Sequence, residues 1–210
     1  MKGDAEYETS TLIVGGGLCG VRLAMLLEQH RESYILVEAR SRLGGRAFSI
    51  DARVDDQHSR SAIDLGPAWI WPHQKRALAL IQELDLETFE QYSAGDLVFQ
   101  DASSRHIQRL STATMAGSLR IATGMQSLAE KMVSHLPEAS IETDMTLATL
   151  EHHEDHVVAS FEGGERVLCR RVVLAMPPRL AARLGYAPTL PAPLTAAMTR
   201  IPTWMAGHSK

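Results

Sequence analysis

Cysteine is scarce in this 210-residue chain, which holds only Cys19 and Cys169. That excludes a disulfide-stapled scaffold and makes a reducing, cytoplasmic compartment the expectation. No apolar run approaches the ~20 residues needed to cross a bilayer. The first ten residues, MKGDAEYETS, are acidic and lack an apolar stretch, so they do not read as a secretory leader. Net charge is only −4, the wrong sign for a nucleic-acid binder. There is no internal repeat, no low-complexity segment and no evident acid–base dyad. With 45% hydrophobic and 22% charged residues, the composition is that of an ordinary globular protein. The length suits one domain or two small interwoven ones.

The stretch that organises the rest runs from Ser10 to Phe48. Leu12-Ile13-Val14 is short and apolar enough for a buried strand. Gly15-Gly16-Gly17-Leu18-Cys19-Gly20 fits G-x-G-x-x-G, and a helical stretch follows from Val21 to His30. A second strand, Tyr34 to Val37, ends in the acid Glu38. This is the start of a βαβ dinucleotide-binding unit. Gly15 serves the tight turn, Gly17 lets a diphosphate approach the backbone, and Gly20 allows close helix–strand packing. Leu18 and Cys19 share that turn, where the helix start offers free N–H groups and a positive dipole end. Cys19 reads as a small residue fitted beside a phosphate. Glu38 is placed to accept hydrogen bonds from a ribose diol.

Glu38-Ala39-Arg40 then runs into Leu43-Gly44-Gly45-Arg46. The pattern resembles the E-A-R…G-G-R signature of FAD enzymes in the amine oxidase and carotenoid desaturase superfamily. A nicotinamide enzyme has no need of the second glycine pair. Gly44 and Gly45 would lie against the cofactor, and Arg46 can fork onto a phosphate. Nothing resembles a cysteine attachment point, so FAD is expected to be held non-covalently. The bland alternative is a solvated basic turn of Arg40, Arg42 and Arg46.

Further along, Asp64-Leu65-Gly66-Pro67-Ala68-Trp69 precedes an amphipathic stretch, His73 to Leu84. This resembles the monoamine oxidase pattern, which implies that Gly66, Pro67 and Ala68 line the flavin and that Trp69 faces the substrate. Core packing is the alternative for Trp69 and Trp71. From Gln91 to Ala116 the chain is short and polar, with one strand at Leu97-Val98-Phe99. The resemblance implies a large helical insertion there, and this chain almost lacks it. Gly124-Met125…Leu128 opens another helix, with Leu128, Met132 and Leu136 on one face and Pro137 as its stop. Ser140-Ile141-Glu142 is the expected third parallel strand. By resemblance the backbone near Met145 contacts the adenine.

Leu147 to Cys169 alternates around the turn Glu162-Gly163-Gly164-Glu165, as an antiparallel meander would. His152, His153 and His156 fall on its other turn and read as a solvated tip rather than a metal site. Val172-Val173-Leu174-Ala175 before Met176-Pro177-Pro178 resembles the family's strand returning to the cofactor, and a short helix is expected from Thr195 to Arg200. The ending Pro202-Thr203-Trp204-Met205…Lys210 resembles a family phrase whose lysine holds a water against flavin N5.

The expected fold is α/β: a Rossmann-like FAD-binding domain with a parallel sheet, an inserted antiparallel meander and a reduced α+β substrate lobe. The C-terminal part of the family fold is expected to be absent. The expected segments are 1–62 and 121–185 for FAD, 63–120 for the reduced lobe, and 186–210 for the start of a further lobe segment. The resemblance implies FAD-dependent oxidation of a small-molecule amine by O2, with no nucleic acid or membrane partner. A partner chain or additional segment would complete the fold. Two rivals stand: a non-catalytic FAD-binding fragment or subunit, and a desaturase- or protoporphyrinogen-oxidase-like flavoenzyme.

Overall fold

The computed structural model describes residues 6–53, 60–100, 106–112 and 115–202. In chain order it holds β1 (Glu6–Val14), α1 (Leu18–Gln29), β2 (Tyr34–Val37), β3 (Ser49–Arg53), β4 (Arg60–Asp64), α2 (Lys75–Glu83), β5 (Thr88–Glu90), β6 (Leu97–Gln100), β7 (Ile107–Leu110), β8 (Leu119–Ile121) and α3 (Gln126–Val133). It continues with β9 (Ile141–Glu142), β10 (Leu147–His152), β11 (Val157–Phe161), β12 (Arg166–Leu174), α4 (Pro178–Ala181), β13 (Gly185–Ala187) and α5 (Ala192–Arg200). The chain divides into two compact units: Met1–Phe48 with Ala129–Lys210, and Ser49–Leu128.

The first unit is built on a seven-stranded sheet, ordered β13-β10-β11-β12-β1-β2-β9. The strands β12, β1, β2 and β9 run parallel, while β10 and β11 are antiparallel to their neighbours in the meander. Leu12, Ile13 and Leu36 are fully buried. Successive strand residues point to opposite faces, so burial of both Leu12 and Ile13 means that the sheet is covered on both sides, as parallel sheets are. The helix α1 covers it with Val21, Ala24 and Met25, all buried.

Two boundaries differ from the sequence expectation for physical reasons. The strand β1 begins at Glu6 rather than Leu12, because its polar first half pairs with β12 from Glu6↔Arg166 onward. The helix α1 begins at Leu18 rather than Val21, since extended Gly17 already caps it and the last fingerprint glycine lies in its first turn. The meander is also no appendage. Leu150, Val157, Ala159, Phe161, Val167 and Cys169 share one buried cluster with Leu12, Val14 and Val37. One continuous strand, β12, serves both the meander and the parallel sheet.

Prolines mark the later boundaries. The helix α3 ends at Val133, and turn bonds from Ser134, His135 and Leu136 carry the chain on to Pro137, which admits no further helix. The helix α5 starts at Ala192 with a proline in its first turn, where the missing N–H costs nothing.

The second unit holds three two-stranded pairs, β3–β4, β5–β8 and β6–β7. The polar stretch 51–61 is therefore in part a hairpin, with residues 54–59 outside the described set. The strand β7 had no sequence signal, being exposed along its whole length. Among the described residues no helix is long and apolar enough to cross a membrane.

The two thiols are unlike. Cys19 is exposed, whereas Cys169 is buried, donates to the Val157 carbonyl at 3.6 Å, and has its pKa pushed up by burial to about 11. Since the thiolate is the reactive form, an alkylating reagent at neutral pH is expected to label Cys19 and spare Cys169 until denaturant is added. Equal labelling of both in the native protein, read by peptide mass, would contradict the packing of β12.

Candidate functional site

The carboxyl ends of β1, β2 and β12 converge on the glycine-rich turn, the place where open α/β sheets bind ligands. Gly15 makes the turn with φ +111°, and a side chain there would lie 2.6 Å from the Ala175 carbonyl oxygen. Its N–H donates to Val37 at 2.8 Å, while Ala175 N–H donates to Val14 at 2.8 Å. The turn is thus tied to both neighbouring strands. A Cβ on Gly20 would run into the carbonyl of Gly15, so the helix start is closed against the turn. At Gly17 an added Cβ would meet nothing within 4 Å. Of these three glycines, only Gly17 faces open space, and it does so at the N-terminal end of α1, where unpaired N–H groups favour an anion.

Glu38 is already held in this turn. Its Oε2 accepts the Gly16 N–H at 2.7 Å, and its Oε1 accepts the Arg40 N–H at 3.1 Å. A carboxylate has about four acceptor positions, so capacity remains for a diol. Its backbone is fixed as well, with Glu38 N–H donating to Glu142 at 2.9 Å and Met145 N–H donating to Glu38 at 3.0 Å.

The second glycine pair packs directly on the first. Gly44 N–H donates to Gly16 at 2.7 Å, and Gly17 and Gly44 form an isolated parallel bridge. Gly45, at φ +60°, leaves only 3.1 Å between a built Cβ and the Gly17 Cα. Arg40 and Arg46 are exposed beside this double turn, as are Ala39 and Cys19, whereas Leu18 is half-buried. The arrangement offers N–H donors, two cations and one carboxylate within the first unit, which suits a nucleotide diphosphate and its ribose.

Two model descriptions match the chain. A NAD(P)-binding Rossmann-like domain covers residues 13–84. The flavin containing amine oxidoreductase family covers residues 91–207, more than half of the chain. The chain belongs to the flavin-containing amine oxidoreductases. It is 38% identical over 86 residues to amine oxidase [flavin-containing] A of Equus caballus, a match covering 41% of this chain and 15% of that protein. It is 36% identical over 96 residues to putrescine oxidase of Kocuria rosea, covering 46% and 19%. The solved cyclohexylamine oxidase of Brevibacterium oxydans IH-35A superposes with TM-score 0.77 at 15% identity, over 91% of this chain and 63% of that one. The last likeness speaks to fold alone. The matched parts amount to 15% and 19% of the two curated proteins and 63% of the solved chain, under two thirds in every case.

Family membership implies a flavin cofactor, and the remaining expected site residues can be placed. The amide of Met145 is spent on Glu38, and its side chain is 2% exposed in the core. Its carbonyl is thus the group it could offer a base. In the second unit, Gly66 and Pro67 lie on a loop between β4 and α2, with Ala68 buried. Paired bonds of 2.8 Å between Ile70 and Leu119 fix the end of that loop. Trp69 is 41% exposed rather than packed in the core, and its indole N–H donates to Gln91 at 3.1 Å. Lys210, Trp204 and Met205 lie outside the described residues. At the meander tip, His153 and His156 stack at 4.5 Å and His156 pairs with exposed Asp155. No group of three metal-capable side chains occurs among the described residues.

Two residues were given no site role in the sequence reading. Arg42 turns its guanidinium back onto the glycine loop. Asp64, the acid of the D-L-G phrase, is buried with its side chain 1% exposed and organises the second unit. A buried acid just ahead of a glycine turn was the available signal for the second. No spacing rule marks the first.

Proposed function

We propose that the protein binds FAD non-covalently and serves amine oxidation, in which an amine, O2 and water give an aldehyde or ketone, ammonia or a smaller amine, and H2O2. The observation that carries the reading is the Gly44–Gly45 turn bonded onto the Gly16–Gly17 turn, with the Glu38 carboxylate held on the Gly16 N–H. Bound flavin supplies the redox chemistry, taking a hydride equivalent from the C–H beside the amine nitrogen and passing the electrons to O2.

The chain's own groups bind and orient. Backbone N–H groups of Gly17, Leu18, Cys19 and Gly20 face the diphosphate at the start of α1, with Arg40 and Arg46 neutralising it. Glu38 takes the ribose diol, Ala39 flanks it, and Met145 meets the adenine through its backbone. Gly15, Gly44 and Gly45 shape the cradle. By the family resemblance alone, Gly66, Pro67 and Ala68 would serve a flavin ring, Trp69 an amine, and Lys210 a water used in flavin oxidation. Two free thiols suit a reducing cytoplasm.

The solved relative carries more than a third of its length outside the aligned part, which favours a second reading: this chain as the FAD-binding portion of a larger catalytic unit. Peroxide release from putrescine and cyclohexylamine, with FAD added, separates the two. The 210-residue chain alone is expected to turn over slowly or not at all, and a longer form or partner carrying the remaining portion is expected to restore activity. In that completed enzyme Lys210→Met should slow flavin reduction or reoxidation while FAD stays bound. Fast peroxide release by the 210 residues alone would discard the second reading. No release by the completed form with any amine would discard amine oxidation.

A further inference from the structure

Within the E-A-R…G-G-R stretch, Arg42 spends its guanidinium on the glycine loop itself. Its Nη2 donates to the Gly45 carbonyl at 2.8 Å and its Nη1 to the Leu43 carbonyl at 3.3 Å. The guanidinium carbon also stands 4.5 Å over the centre of the Phe48 ring. The side chain is half-buried, whereas Arg40 and Arg46 on either side are exposed.

The loop it holds needs holding. Gly44 and Gly45 have φ of +99° and +60°, and glycine gives up more conformational freedom on ordering than any other residue. One side of the loop is fixed by the Gly44 N–H to Gly16 bond. The other side is fixed by the Arg42 fork. Arg46 follows Gly45 directly, so the placement of that exposed cation depends on the same loop.

We propose that Arg42 is a positioning residue for the cofactor: it braces the Gly44–Gly45 turn against Gly17 and thereby sets the diphosphate cradle and the placement of Arg46, without itself contacting phosphate. The inference rests on the FAD reading above. A planar fork with a stacking face is required, and lysine has neither. Pre-organisation of this kind raises affinity by removing an ordering cost from the binding step.

The test is titration of FAD into wild type, Arg42→Lys, Arg42→Gln, Phe48→Leu and the Arg42→Gln/Phe48→Leu double variant, followed by flavin fluorescence quenching. Circular dichroism melts of the FAD-free proteins run alongside. Both Arg42 variants are expected to bind FAD about tenfold or more weakly, Phe48→Leu severalfold more weakly, and the double variant no worse than Arg42→Gln. The loss in Arg42→Lys should match that in Arg42→Gln although lysine keeps the charge, and the melts should move little. Retained affinity in Arg42→Lys, against a loss in Arg42→Gln, would make Arg42 a phosphate ligand and overturn the proposal. Lower melting with unchanged affinity would overturn it as well, leaving Arg42 a purely structural residue. If wild type itself fails to quench FAD fluorescence, the flavin reading falls and takes this inference with it. Wild-type binding with unaltered Arg42 variants removes this inference alone.

Discussion

Glu38→Ala is expected to weaken FAD binding at least tenfold. Charge-assisted hydrogen bonds to a ribose diol are worth about 1.5–3 kcal/mol, and tenfold corresponds to about 1.4 kcal/mol. The structure adds a second contribution in the same direction. The carboxylate accepts the Gly16 N–H at 2.7 Å, so its loss also loosens the turn that presents Gly17. Glu38→Gln keeps an acceptor for Gly16 but loses the charge, and it should fall between wild type and alanine. The fold should persist in both, because Glu38 is only half-buried and its backbone bonds to Glu142 and Met145 do not involve the side chain. Isothermal titration checks this. Unchanged affinity in Glu38→Ala would show that this acid does not hold the ribose.

The largest stability loss is expected at Asp64. Its Oδ1 accepts the Ser49 hydroxyl and the Met125 N–H, each at 2.7 Å, and its Oδ2 faces Arg120 Nη2 at 3.3 Å. Three segments distant in sequence meet on one buried carboxylate: the start of β3, the end of β4 that carries Asp64, and β8 with the turn after it. Removing one partner of a buried ion pair costs about 3–5 kcal/mol. Arg120 is the more exposed partner at 27%, so the lower end applies, and its Nε has no hydrogen-bond partner among the described residues. Asp64→Ala should lose about 3 kcal/mol, a fall of roughly 6–12 °C in Tm for a chain of this size. Asp64→Asn should lose less, since it still accepts from Ser49 and Met125. A melt within a degree of wild type for Asp64→Ala would mean that the second unit does not depend on this centre.

What the sequence made legible were the features that physics enforces locally. The step from Val14 to Gly15 must be a tight turn, because a Cβ there would strike the Ala175 carbonyl, and glycine spacing records that directly. Leu12, Ile13, Leu36 and Val37 form apolar runs because both faces of their sheet are covered. Less legible were the elements whose partners are remote. The polar half of β1 is a strand only because β12 runs beside it. The strand β7 is paired by β6 yet exposed throughout, so no burial pattern marks it. Asp64 could be read as part of a phrase, but its partners at Ser49, Arg120 and Met125 are set by tertiary folding. Arg42 stood in plain sight beside two other arginines, and only its geometry separates a brace from a phosphate ligand.

The account's central claim is that the double glycine turn with Glu38 is a non-covalent FAD site. The most direct test is to saturate the purified 210-residue chain with FAD and, separately, with NAD, remove excess ligand, and denature each sample by heat. The account predicts a yellow, fluorescent supernatant from the FAD sample whose spectrum and mass are those of free FAD, with colourless protein left behind. Retention of NAD with no retention of FAD would contradict it.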